Sequence, residues 1–270
     1  MSFSCAFRFR LQSRKKQVQD VIILILSNVL ACAEQANDKS KYRHEYKYEI
    51  DNQQAVILEH RLSDVMLRDS YAGSAGIYEV RSLYFDDFDN TCFYENENGT
   101  DPREKFRIRI YNGSDAKISL ELKRKESGKT LKRSCPITRE QTEALIGGGV
   151  FPWEDEMDPL LKKFYFWVET KVGRPKVIVN YDRIPFVHPD GNVRVTLDLN
   201  VSASGQIDNF FKKELYGRPI MPVGKQVLEV KFDEFLPDHI SHSIQTNALS
   251  RITYSKYCWR LPTSASIRKK

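Results

Sequence analysis

From Tyr42 onward the chain consists of short runs in which apolar and polar residues alternate, separated by Gly, Pro, Asn and Asp. A period of two is typical of strands that bury one face, and the separating residues favour turns. The pattern predicts eight strands, over residues 43–50, 79–86, 105–112, 117–124, 130–137, 176–183, 192–199 and 226–232. Capping residues and helical spacing predict four helices, over residues 51–68, 138–147, 155–171 and 238–250. We therefore expect a mainly β, α+β fold.

Five of these strands place charged side chains on one face and apolar side chains on the other. Within residues 105–111, Lys105, Arg107 and Arg109 share one face, because side chains two positions apart on a strand point the same way. The same division occurs in the strands around Lys47, Lys123, Arg194 and Lys231. An open antiparallel sheet with one solvated face would show this alternation as well. The unusual feature is that a cation lies at the centre of each strand, in several cases two residues from a carboxylate.

If the eight strands close into a barrel with the charged faces inward, cations outnumber carboxylates two to one in its lumen. The cations are Lys47, Arg107, Arg109, Lys123, Lys132, Arg183, Arg194 and Lys231. The carboxylates are Glu45, Glu121, Asp198 and Glu229. Unpaired buried charge costs several kcal/mol per ion, so such a lumen requires water and a polyanion. Phosphate chains suit it, because arginine binds phosphate oxygens bidentately and lysine binds them as a point charge.

Composition excludes several classes of protein. With 41% hydrophobic residues and a net charge of +6, the chain is neither disordered nor as basic as a histone. A nucleic-acid binder is the least favoured class, because the clustered cations fall on a face predicted to be interior. The five cysteines are widely spaced and form no CxxC pair, which predicts reduced thiols in a cytosolic protein. They are Cys5, Cys32, Cys92, Cys135 and Cys258.

The first 33 residues leave three interpretations open. Basic residues precede an apolar stretch that ends at Ala31-Cys32-Ala33, as in a secretory signal, but Asp20 and Asn28 interrupt it. A cleaved signal, an amphipathic helix and a poorly ordered leader all fit. We favour a leader or short helix and a cytoplasmic, membrane-associated protein, because the chemistry argued below needs cytosolic nucleotide. The apolar run is too short for the ~20 residues of a membrane-spanning helix.

Eight motifs follow one another between residues 41 and 258. They are Tyr42-Arg-His-Glu-Tyr-Lys-Tyr48, Arg81-Ser-Leu-Tyr-Phe-Asp86, Lys105-Phe-Arg-Ile-Arg-Ile-Tyr111, Leu120-Glu-Leu-Lys123, Tyr181-Asp-Arg-Ile-Pro-Phe186, Arg194-Val-Thr-Leu-Asp198, Leu228-Glu-Val-Lys231 and Ser255-Lys-Tyr257. Each is common in strands, but together and in this order they resemble the VTC domain. That domain is the polyphosphate polymerase domain of the vacuolar transporter chaperone complex, and it also occurs in bacteria.

The VTC domain is one of the CYTH-like triphosphate tunnel metalloenzymes. The resemblance implies an eight-stranded antiparallel β tunnel, or barrel, with helices packed on the outside. It divides the chain into a leader at 1–40, a tunnel domain at 41–262 and a basic tail at 263–270. The first strand carries Glu45-Tyr46-Lys47 where the wider superfamily has an acid-rich ExExK motif, which favours the polymerase branch.

The resemblance also implies the roles of individual residues. The implied catalytic cations are Arg107, Arg109, Lys123, Arg183 and Arg194. The implied phosphate-binding lysines are Lys47, Lys132, Lys231 and Lys256. Glu229 would hold a divalent metal, Mn²⁺ or Mg²⁺. The weaker metal or charge-balancing candidates are Glu45, Glu121 and Asp198.

The implied activity is transfer of the γ-phosphate of ATP to a growing inorganic polyphosphate chain. The expected ligands are therefore ATP or another triphosphate and inorganic polyphosphate, with an integral membrane partner as a further option and no nucleic acid. Two rival functions remain open. One is a metal-dependent triphosphatase or tripolyphosphatase of the same fold, and the other is a non-catalytic polyphosphate-binding module.

Overall fold

Antiparallel strands dominate the computed structural model, which describes residues 42–245, 249–253 and 255–257. The strands are β1 His44–Asp51, β2 Leu67–Arg68, β3 Tyr78–Asp86, β4 Arg103–Tyr111, β5 Ser114–Glu126, β6 Lys129–Pro136, β7 Arg174–His188, β8 Val193–Ser204, β9 Arg218–Pro219 and β10 Lys225–Phe232. The helices are α1 Asn52–Val65, α2 Thr91–Glu97, α3 Arg139–Ile146, α4 Pro159–Lys171 and α5 Asp238–Ile244. All eight predicted strands are present, and β2 and β9 are short additions.

The sheet curls until its two ends meet. Its strand order is β1-β10-β8-β7-β3-β4-β5-β6, while β2 pairs with β7 and β9 pairs with β8. Arg43, just before β1, and Thr130 of β6 exchange two backbone hydrogen bonds of 2.9 Å. The predicted mainly antiparallel tunnel architecture is therefore confirmed.

Four of the five described helices, α1, α3, α4 and α5, cover the outer face of the curled sheet. Phe106, Ile108 and Ile110 of β4 point outward and pack in one cluster with Leu145 of α3 and Phe164 of α4. On the opposite side, apolar residues of β1, β8 and β10 pack in a second cluster with α1 and α5. The outward burial of the apolar half of each strand is what turns the charged half inward.

A third apolar cluster lies on the inner face of the sheet. Val179 is two residues from Tyr181 on β7, and Val227 is two residues from Glu229 on β10, so each shares a face with a residue that lines the cavity described below. These valines pack in the same cluster as Tyr257. This end of the curl is therefore filled by apolar side chains, and charged residues occupy the remainder.

Local capping explains where the helices begin and end. Asp51 and Gln54 form a reciprocal capping box at the start of α1, with the Gln54 amide donating to Asp51 Oδ1 at 2.7 Å. The helix ends at Val65 rather than at residue 68, because residues 67–68 pair with β7 as β2. The last helix ends at Ile244, earlier than predicted, and Gln245 follows with a positive φ of 53°.

Several sequence predictions fall outside the described residues. The predicted leader at 1–40 and tail at 263–270 remain predictions, as do the domain boundaries drawn from them. Among the five cysteines, Cys92 and Cys135 are described, and both are buried free thiols. None of the described helices is long and apolar enough to cross a membrane.

Candidate functional site

The inner face of the curled sheet encloses a strongly cationic cavity of about 660 Å³. All ten predicted site residues line it, and they come from every strand of the closed ring except β3 and from the segment after residue 249. They are Lys47, Arg107, Arg109, Lys123, Lys132, Arg183, Arg194, Glu229, Lys231 and Lys256. Further lining cations are Arg43, Arg103, Lys105, Lys125 and Arg251. The lining thus holds fourteen lysines and arginines against three carboxylates, Glu45, Glu229 and Asp233.

The strand register places these charges side by side. Inward-facing residues that are distant in sequence become direct cross-strand neighbours, since each pair of adjacent strands is antiparallel. Examples are the pairs of Lys47 with Glu229, Lys231 with Arg194, Arg183 with Asp198, Arg107 with Glu121, and Lys123 with Lys132. Most of the lining cations are therefore held by the strands of the sheet.

Glu121 is a buried anchor for three cations. Its Oε2 atom lies 2.6 Å from Arg107 Nη2 and 3.5 Å from Arg109 Nη1, and its Oε1 atom lies 2.6 Å from Lys132 Nζ. Burial opposes its ionisation, but the three cations outweigh burial and hold the pKa of Glu121 well below its usual range. The structure thus places Glu121 beneath the cavity surface as a charge-balancing group.

Asp198 is a second buried carboxylate that pairs with cations of the cavity lining, on the other side of the cavity from Glu121. It is fully buried and accepts hydrogen bonds from both Arg183 and Lys256. Burial is again outweighed by the two cations, which keep the pKa of Asp198 at about 2. Arg183 also donates to Glu229 Oε2 at 3.3 Å. The oxygens of Asp198 are occupied by cationic partners, so it fits charge balancing better than metal binding.

Glu45 and Glu229 reach the cavity itself. Lys47 lies between them, with Nζ 3.3 Å from Glu45 Oε1 and 3.6 Å from Glu229 Oε1. Glu229 also pairs with Lys231 at 2.8 Å, and Glu45 pairs with Lys123 at 2.5 Å. Burial raises the pKa values of both carboxyls, but the surrounding cations have the larger effect. The resulting pKa is about 2 for Glu45 and well below the usual range for Glu229, so both groups are ionised.

These carboxylates do not form a complete metal cage. Within the described residues, no group of three or more His, Cys, Asp or Glu side chains could hold a metal ion. Mg²⁺ is commonly bound by one or two carboxylates together with substrate phosphates. Glu229 and the neighbouring Glu45 fit that kind of site, in which the cation is shared between protein and substrate.

Burial lowers the pKa values of two lysines of the lumen toward neutral pH. Burial lowers the pKa of Lys123 to about 7, against the attraction of Glu45, and the nearby Lys47 and Lys231 add to the lowering. Burial likewise lowers the pKa of Lys132 to about 8, against the attraction of Glu121. The lumen therefore gains positive charge as pH falls through this range.

The sequence predictions assigned no role to three tyrosines of the cavity. Tyr78, Tyr84 and Tyr181 line it, and the hydroxyl of each accepts a hydrogen bond from an arginine. Tyr84 lies in the Arg81–Asp86 motif, where the strand is buried along most of its length and shows no alternation. Counting by two from Ser82, which faces Arg109 in the register, would have placed Tyr84 inward.

The C-terminal segment crosses one end of the cavity. The Ile252 amide donates to the Lys47 carbonyl at 2.9 Å, and Lys105 Nζ donates to Ser255 Oγ at 3.1 Å. The Tyr257 hydroxyl donates to Asp86, whose carboxylate also accepts from the backbone amides at the start of α2. These contacts place Lys256 against Asp198, although it comes from outside the sheet.

Solved structures with a similar chain path come from several organisms. An adenylate cyclase candidate from Bacillus halodurans is 14% identical, with a TM-score of 0.45 over 78% of this chain and 89% of that one. A Hippeastrum adenylyl cyclase candidate with a dominant triphosphatase activity is 13% identical, with a TM-score of 0.43 over 77% and 85%. The Mimivirus capping enzyme triphosphatase is 10% identical, with a TM-score of 0.36 over 82% and 92%.

A search of curated proteins finds no match for this chain. The family model of the VTC domain matches residues 42–263, which is most of the sequence and the whole of the curled sheet. The chain therefore belongs to the VTC domain family.

Proposed function

We propose that this protein transfers the γ-phosphoryl group of ATP to the end of an inorganic polyphosphate chain inside the cationic cavity. The excess of lysines and arginines over carboxylates on one enclosed face supports a triphosphate or polyphosphate ligand. Membership of the VTC domain family supports the polymerase as the reaction to test first.

Positioning and charge neutralisation are the main requirements of phosphoryl transfer, which needs little covalent chemistry from the protein. Arg107 and Arg109 share one face of β4, and Arg183 lies on β7, two strands away in the sheet. Their guanidinium groups would hold the non-bridging oxygens and stabilise the charge that develops during transfer. Glu121 and Asp198 fix these arginines from beneath and so keep them oriented when the cavity is empty.

No general base is needed for this reaction, because the terminal phosphate of the acceptor chain is already an anion. The lysines Lys123, Lys132 and Lys231 would neutralise the acceptor and donor chains where they approach each other. Lys47 and Lys256 would extend the same electrostatic surface, with Arg194 at the end of the cavity near Tyr78.

The carboxylates suit a divalent cation that arrives with the nucleotide. Glu229 is the central candidate and Glu45 lies close to it. Mn²⁺ or Mg²⁺ held there would act as a Lewis acid and as a template for the phosphate oxygens. Lys47 and Lys231 already pair with Glu229, so they would move from the carboxylate to phosphate oxygens when nucleotide and metal bind.

The deciding experiment incubates the purified protein with ATP and Mn²⁺, followed by gel analysis for polyphosphate and a parallel assay of free phosphate. A ladder of polyphosphate that is lost in Arg107→Ala supports the proposal. Release of free phosphate without a ladder would identify a triphosphatase with water as acceptor. Binding of tripolyphosphate without turnover would identify a binding module, and either of these results rejects the polymerase.

A further inference from the structure

Each of three tyrosines in the cavity is paired with an arginine. Arg107 Nη1 donates to the Tyr84 hydroxyl at 3.0 Å, Arg194 Nη2 donates to Tyr78 at 3.1 Å, and Arg109 Nη2 donates to Tyr181 at 3.4 Å. A phenol has one proton of its own to donate as well as lone pairs that accept. In each pair the arginine N–H group donates to a lone pair of the tyrosine oxygen, so the hydroxyl proton remains available for another acceptor.

Tyr84 is the most deeply engaged of the three with the catalytic cations. It is 7% exposed, faces Arg107 across the β3–β4 pair, and stacks its ring 5.7 Å from that of Tyr257. Among the described residues, the Tyr84 O–H group donates no hydrogen bond. The phenol is therefore held by contacts on its ring and on one lone pair of its oxygen, at the lining of the cavity and with its proton unused.

The surroundings of Tyr84 make it a stronger donor than an ordinary phenol. Burial raises its pKa, but Arg107, Arg109 and Lys256 outweigh burial, so the pKa of Tyr84 is lowered overall. For Tyr78, by contrast, burial dominates and the pKa is raised. Tyr181 lies farther from its arginine partner, and its ring is covered by Lys256 at 4.3 Å. Geometry and charge therefore single out Tyr84.

We propose that the Tyr84 hydroxyl is a direct ligand of the bound phosphate chain and donates a hydrogen bond to a non-bridging oxygen held by Arg107, while keeping its proton. This inference rests on the proposed function, since it adds a neutral hydrogen-bond donor to a site otherwise described by its cations. A single oxygen bound by Arg107 and Tyr84 together is held from two directions. Tyr84 would thus fix the position of one phosphate group along the lumen, which lysines, as mobile point charges, do not achieve alone.

The test compares tripolyphosphate binding by wild type, Tyr84→Phe and Tyr94→Phe, using calorimetry. Phenylalanine keeps the ring and its contact with Tyr257 and removes only the hydroxyl. A hydrogen bond to a charged group contributes enough that its loss weakens binding by about 10- to 100-fold. Tyr94 is 53% exposed on α2 and outside the cavity lining, so the same change there should alter affinity less than about twofold.

A second measurement separates ligand contact from a structural role. Tyrosinate absorbance should show one tyrosine of the free protein ionising below the usual range, and bound tripolyphosphate should shift this ionisation to higher pH. Tyr84→Phe should lack this tyrosine. Unchanged tripolyphosphate affinity in Tyr84→Phe overturns the inference while the proposed function stands. A tyrosine pKa that is the same with and without tripolyphosphate does so as well. Failure of the wild type to bind tripolyphosphate overturns both.

Discussion

Asp198 holds Arg183 through both of its carboxylate oxygens, with Arg183 Nε at 2.7 Å and Nη2 at 2.8 Å. This bidentate pair is buried, and Lys256 donates to the same carboxylate. Two cations that face the cavity are thus fixed by one anion below it. Repulsion between the cations of the lumen is thus reduced locally, because single buried carboxylates lie beneath groups of cations.

Asp198→Asn should therefore destabilise the fold as well as weaken the site. Removing one partner of a buried ion pair leaves the other without compensation, and the free energy of unfolding should fall by about 3–5 kcal/mol. Urea denaturation followed by circular dichroism measures the change. Glu49→Gln is the matched control, because Glu49 pairs with Lys225 at 3.4 Å on an exposed part of the surface. Similar urea midpoints for both variants would contradict the buried-anchor role of Asp198.

Alternation of residues was sufficient to predict the strands and the direction of most charged side chains. In β4, the sequence Lys105-Phe-Arg-Ile-Arg-Ile separates a face of buried apolar residues from a face of cations, and the structure keeps that division. The hydrophobic effect decides it, because only one register buries Ile108 and Ile110 together. The site residues on β1, β4, β5, β8 and β10 follow directly from this pattern.

Features that depend on tertiary contacts were not predictable in the same way. Helix α2 is seven residues long and is stabilised by the Asp86 carboxylate, which accepts from the Cys92 and Phe93 amides. Tyr84 lies in a strand that is buried on both faces, so no alternation marks its direction. The distinction between a carboxylate at the cavity surface, such as Glu229, and one beneath it, such as Glu121, depends on the packing of neighbouring strands.

Arg107→Ala and Arg109→Ala should each remove most activity while the protein remains folded. Each deletion removes a positioned donor to the transferring phosphate, and such losses cost about 100- to 1000-fold in turnover. The fold survives because Glu121 keeps two of its three cationic partners in either variant. Steady-state turnover of ATP and circular dichroism measure the two effects. Arg218→Ala, an exposed position on β9, should behave as wild type; normal turnover by either β4 variant would reject its assigned role.

Glu229→Gln should weaken the dependence on metal more than the binding of nucleotide. Glutamine keeps the size of the side chain and an acceptor for Arg183, but it loses the charge that a divalent cation requires. The Mn²⁺ concentration for half-maximal activity should rise about tenfold, with a smaller change in the KM for ATP.

Glu121→Gln serves as the comparison for the metal test, because Glu121 lies beneath the cavity and binds three cations. It should impair phosphate affinity without a specific change in the Mn²⁺ titration. Superimposable Mn²⁺ titrations for wild type and Glu229→Gln would remove Glu229 from the metal site.

Affinity for tripolyphosphate should fall as pH rises from 6 to 9. The free protein loses protons from Lys123 and Lys132 in this range, since burial has lowered their pKa values to about 7 and about 8. A bound polyanion favours the charged lysines, so binding takes up protons and the Kd should increase about tenfold or more over this interval.

The stability of the free protein depends on pH in the opposite direction from its affinity for tripolyphosphate. Below pH 10.5 the unfolded chain keeps Lys123 and Lys132 protonated, whereas the free folded protein releases their protons from about pH 7 upward. The free energy of unfolding should therefore increase as pH rises through this range. A Lys123→Arg, Lys132→Arg double variant should show a flatter pH dependence of binding, because arginine stays charged. A pH profile of binding identical to that of the wild type would show that these lysines do not control it.

A polyanion should stabilise the protein against heat, because the empty lumen concentrates fourteen cations around few carboxylates. A ligand that binds only the folded state adds RT ln(1 + [L]/Kd), about 2.7 kcal/mol at a hundredfold excess over Kd. For a chain of this size, that corresponds to a rise in Tm of about 5–10 °C. Tripolyphosphate should exceed equimolar sulfate, because a linear ligand contacts cations from several strands at once, and added salt should reduce the gain by screening. An open solvated sheet face would give small and similar shifts for both anions, so a thermal scan without preference for tripolyphosphate would contradict an enclosed binding lumen.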